Sequence, residues 1–214
     1  MTTIADLVAF VAPSVHRDIP LANIQHALRE TTIDFLTRSQ VATDGEYVTL
    51  RCGRSDMLLE PKGCRRLVTI IGVHERPACR STGMWDRSWY EQPRAEEGRP
   101  GWYIDPDDLG LQTIMIPSLN RERQFYIRYA WTLPRDNSCD LPEWLYERYA
   151  DAITDGAVAA LLQVQVDGDK TDRSARRQQA ALSYEQAISR ARNLKASQEH
   201  GTHFKPDTRH FFGG

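Results

Sequence analysis

The side chains most able to do chemistry in this sequence form three small groupings of metal-ligand type. His200 and His203 stand either side of a Gly-Thr pair, and His210 follows in the same C-terminal stretch. Imidazoles in such a set can bind a first-row metal, but only where neighbouring groups orient each ring. A polar terminal stretch offers no such support, so this set is not expected to assemble. His74 with Cys64 and Cys79 mixes imidazole and thiol. The four cysteines, Cys52, Cys64, Cys79 and Cys139, contain no CxxC pair and no regular framework. They read as reduced thiols of a cytosolic chain, buried or half-buried for packing. Asp105, Asp107 and Asp108 can gather a cation, yet they lack the repeating ligand pattern of a calcium loop and read as a solvated turn. Phosphate-loop, GxSxG, HExxH and zinc-ribbon spacings do not occur. No catalytic constellation is visible, so no enzyme activity, cofactor or metal is expected.

Other residues suit contact better than bond-making. Arg173, Arg176, Arg177, Arg190 and Arg192 crowd one C-terminal helical segment. They can face DNA, contact another subunit, or form a solvated face paired with neighbouring acids. Trp85, Trp89 and Tyr90 lie in a long Pro- and Gly-rich connection, residues 76–101. A connection of that length is often a functional or partner-contacting loop, although tryptophans can also pin a loop to its own sheet. The last stretch, 196–214, holds Phe204 and ends in Arg209-His210-Phe211-Phe212. It cannot build a core by itself, and aromatic residues at its tip fit docking on another subunit.

These groups must be positioned by recognisable elements. The central one runs from Asp140 to Val166. Asp140 can cap it, Pro142 loses no intrahelical donor in the first turn, and Glu143 stands where a capping box wants it. Leu141, Leu145, Tyr149, Ile153, Ala157 and Leu161 form one apolar stripe. Ala152, Gly156 and Ala160 lie beside it as a shallow groove for a partner helix. That partner is expected from Thr171 or Asp172 to about Lys195, with Ala175, Gln179, Leu182, Ile188 and Ala191 inward, giving a long αα-hairpin. Helices are also expected at Thr3–Val11 and from Leu21 to about Gln40. In the second, Leu21, Ile24, Leu28, Thr32, Phe35 and Leu36 face inward and Arg29, Glu30 and Arg38 outward.

From Val41 the pattern alternates instead. Strands are expected at Tyr47–Leu50, Arg66–Val73, Trp102–Ile104, Leu109–Ile116 and Gln124–Leu133, with the Asp105–Asp108 run as a hairpin turn. The expected class is therefore α+β. A helical bundle (1–40 with 140–195) carries an inserted antiparallel β-sheet or sandwich (41–139) and an extended C-terminal tail (196–214).

Composition bounds the function classes. The 214 residues can bury a core, and 41% hydrophobic with 26% charged residues is ordinary for a globular chain. A net charge of −2 and pI near 6.3 lack the basic excess of a dedicated nucleic-acid binder. No apolar run approaches a membrane span, and the N-terminus has no signal-peptide pattern, so the chain reads as soluble and intracellular at synthesis.

The whole pattern resembles the head-to-tail adaptor (gatekeeper or connector) proteins of tailed, particularly short-tailed, bacteriophages. The resemblance rests on Ile4–Pro13, Ala27–Phe35, Gly101–Pro106 and above all Leu141–Ala157, and extends over most of the chain to about Lys195. Residues 76–101 and the extreme C-terminus match least. It implies a structural virion protein at the neck, assembled in the host cytoplasm as a homo-oligomeric ring, typically of twelve copies, beneath the portal protein. The helical bundle would form the ring wall and the C-terminal segment would reach along the portal. The β insertion would meet the tail tube or nozzle protein, and genomic DNA would pass through the lumen without sequence-specific binding. Trp85, Trp89, Tyr90, Phe204, Arg209, Phe211 and Phe212 are then the candidate partner-binding residues. Arg173, Arg176 and Arg177 are candidate DNA or subunit contacts. The alternative is a nucleic-acid-binding module that uses the basic last helix.

Overall fold

The computed structural model describes residues 4–15, 18–51, 56–59, 61, 63–75, 103–104, 113–115, 123–135, 141–164 and 170–201. The class is α+β, and the chain divides into two compact units. One comprises Met1–Val41 with Asp140–Gly214 and holds the helices; the other is Ala42–Cys139 and holds the strands.

In the helical unit, α1 (Ile4–Val11) buries Leu7 and Val11 and runs into a 3-10 turn at Ala12–Ser14, where Pro13 ends the α-helical pattern. Helix α2 (Leu21–Ser39) follows Pro20, whose carbonyl accepts from the amides of Asn23 (2.9 Å) and Ile24 (3.3 Å). At its other end Gln40 adopts a left-handed conformation and donates its amide to the Leu36 carbonyl at 2.9 Å. Ile24, Leu28, Thr32, Phe35 and Leu36 are buried as their spacing requires. The Thr32 hydroxyl is satisfied by the Leu28 carbonyl at 2.7 Å. Two positions differ from the expected pattern. Leu21 is exposed, because it begins the helix before the packed region, and Arg29 is buried rather than outward. Helix α2 packs against α1 and against two further helices, α3 (Glu143–Val164) and α4 (Lys170–Gly201). Its buried face is therefore wider than one apolar stripe.

Helix α3 starts from Pro142, whose carbonyl accepts from Leu145 (2.9 Å) and Tyr146 (3.3 Å). Asp140, the expected cap, lies outside the described residues. Leu141, Leu145, Ile153, Ala157 and Leu161 are buried, with Tyr149 half-buried. Of the small-residue groove, Ala152 and Gly156 are buried and Ala160 is exposed.

Helix α4 departs most from the sequence pattern. Its buried stripe is Ala180, Tyr184, Ile188 and Ala191, whereas Ala175, Gln179 and Leu182, expected inward, are exposed. The phase is set by Tyr184, whose ring fills the space beside Gly156. The helix also continues to Gly201, past Lys195 and into the stretch expected to be extended. Ala196, Gln198 and Glu199 are good helix formers, and Gly201 is the first residue that favours a stop.

Among the described residues the strand unit holds two three-stranded antiparallel sheets. In the larger, β6 (Arg123–Thr132) is central, between β1 (Thr43–Leu50) and β3 (Arg66–Glu75). Register places Tyr47 opposite Tyr126 and Leu67 opposite Trp131, with irregularities in β3 between Leu67 and Thr69 and between Ile70 and Gly72. Phe125, Ile127, Tyr129 and Trp131 are buried, and Ala130 and Thr132 between them are too, so β6 is covered on both faces near its end. The second sheet orders β2 (Asp56–Leu58), β5 (Thr113–Met115) and β4 (Tyr103–Ile104). The short β2 has no counterpart among the expected strands.

Cys64 is disulfide-bonded, which corrects the expectation of reduced thiols. Cys52, Cys79 and Cys139 lie outside the described residues. Irregular spacing along a chain sets no distance between cysteines once strands and turns bring them together.

Candidate interaction surface

The most constrained point of the helical unit is where α2, α3 and α4 meet at Gly156. A Cβ at this position would collide with the Thr31 methyl and lie 2.8 Å from the Tyr184 ring. Only a hydrogen at this position leaves room for the Thr31 methyl and the Tyr184 ring. Tyr184 then reaches α2, donating its hydroxyl to the Asp34 carboxylate (2.8 Å), with the Thr31 carbonyl 3.1 Å away. Phe35 packs between Tyr149 and Tyr184, with ring centroids 4.9 and 6.2 Å apart. Burial first, and the adjoining Asp34 carboxylate second, hold the Tyr184 phenol well above its ordinary range.

Outside this buried contact lies a charged clasp. Arg38 donates to both Glu185 oxygens, one at 2.8 Å, and to Asp34 at 3.3 Å. The hydrogen bond from Arg38 pulls the Glu185 carboxyl below its usual range. Both partners are substantially exposed, so the clasp fixes geometry more than it adds stability. Arg192 donates to the Arg38 carbonyl at 2.6 Å, Ser183 donates to Asp155 at 2.5 Å, and Arg176 donates to the Ser14 carbonyl at 3.0 Å. The contacts advance together along both helices, so α4 runs alongside α2 in the same sense.

The strand unit has its own clasp. Arg65 pairs with Asp44 and lies 4.4 Å above the centre of the Trp131 ring, closing the start of β3 over β6. Asp44 also accepts from the Gly45 amide at 2.8 Å. Across the register pair, Tyr47 and Tyr126 stack tilted at 4.9 Å.

The candidate residues separate accordingly. Trp85, Trp89, Tyr90, Phe204, Arg209, Phe211 and Phe212 lie outside the described residues, as do His203, His210, Cys79, Asp105, Asp107 and Asp108. Arg173, Arg176 and Arg177 are brought together on the first turns of α4, half-buried in the first case and exposed in the others. Arg176 and Arg192 are committed to backbone carbonyls of their own unit. Among the described residues, no cluster of His, Cys, Asp or Glu is placed to hold a metal, and no helix is long and apolar enough to cross a membrane.

What pattern reading missed is the outward face of α4. Ala175, Gln179, Leu182, Gln186 and Ser189 follow at alternating four- and three-residue steps and are all exposed. Arg190 adjoins them. Of these, Ala175, Gln179 and Leu182 are expected inward from their spacing, which is the only signal the sequence offers here. No protein-family model and no curated protein matches the chain.

Proposed function

We propose that this chain is a structural virion protein: an adaptor ring between portal and tail of a tailed bacteriophage, lining the channel through which DNA leaves. In this reading the helices form a bundle whose αα-hairpin of α3 and α4 belongs to the ring wall. The strand unit meets the tail tube or nozzle protein. The observation that carries the proposal is the economy of α4's attachment. It is 32 residues long, and over 172–195, where its side chains are described, the buried ones form a single stripe of Ala180, Tyr184, Ile188 and Ala191. A long helix held along one side leaves its other faces for neighbours, as a ring of heterologous contacts requires. Near-neutral net charge suits a channel that must not hold phosphate tightly.

The test is negative-stain imaging of the purified protein, alone and mixed with the portal protein of the same genome. The expected result is monomers or weak association alone, and rings seated on portal in the mixture. A protein lacking residues 202–214, which leaves α4 whole, is expected to keep its circular dichroism and lose portal binding. Absence of any ring on portal would overturn the proposal.

A further inference from the structure

We draw no further inference here: the strongest candidate, the face of the larger sheet where Tyr47 stacks on Tyr126 and Arg128 stands in register between Gly45 and Gly72, carries nothing, because nothing in the structure shows what covers it.

Discussion

At the scale of single residues, Gly156 and Tyr184 settle how the helical unit packs. Helix propensity alone says that Gly156→Ala should stabilise α3 by about 1 kcal/mol. The contact geometry says otherwise, since the new methyl would meet Thr31 and the Tyr184 ring. Overpacking of this kind costs about 1–3 kcal/mol, so a net loss is expected in a urea unfolding midpoint. Thr31→Ser, which removes the offended methyl, should recover part of that loss. Tyr184 gives a prediction in pH. Its phenol is raised in the folded state, so its contribution is complete below the unfolded value near 10 and fades as pH rises beyond it. Glu185 is lowered, so its smaller contribution is present above about pH 4.3 and fades as pH falls through the folded value. The attachment of α4 to α2 should thus be strongest between these limits. Tyr184→Phe should cost about 1 kcal/mol at neutral pH and remove a late-ionising tyrosine from an alkaline absorbance titration. Loss of an ordinary, early-ionising component instead would contradict the geometry.

At the scale of elements, what could be read from sequence depended on how asymmetric each segment is. The α3 stripe was legible because large apolar residues recur on one side while Glu143, Glu147 and Asp151 hold the other. Strand β6 was legible for the same reason, through Phe125, Ile127, Tyr129 and Trp131. Helix α4 was not. It carries alanines on both sides, Ala175 on one and Ala180 and Ala191 on the other, so counting apolar residues leaves its phase open. The deciding residue is a tyrosine, whose burial depends on a glycine on α3 and a carboxylate on α2, neither of which is local. Arg29 is a second case, since a cation is assigned outward until one sees that α2 is covered by three helices. The disulfide at Cys64 is a third, since it depends on distance across the fold. The position of Tyr184 in the buried stripe therefore also decides that Ala175, Gln179 and Leu182 are exposed.

At the scale of the whole molecule, the β segment is inserted into a helical unit assembled from both ends of the chain. Helix α2 comes before the insertion and α3 and α4 after it, yet the Gly156 contact, the Tyr184 hydrogen bond and the Arg38 clasp all join the two sides. The helices of this unit contact one another on both sides of the insertion, and its Leu28, Phe35, Leu145, Ile153 and Ile188 are almost fully buried. Replacing residues 42–139 by a flexible Gly/Ser linker of about 20 residues should leave that core intact, because the entropic cost of loop closure grows only slowly with length. The shortened protein is expected to stay strongly helical by circular dichroism, to unfold cooperatively, and to lose stability again when Gly156→Ala is added. A non-cooperative transition, or indifference to Gly156→Ala, would show that the strands are needed to hold the helices together. Joined to the ring proposal, the same experiment separates roles. On that proposal the shortened chain, which keeps α3 and α4, should still associate while losing whatever contact the strand unit makes.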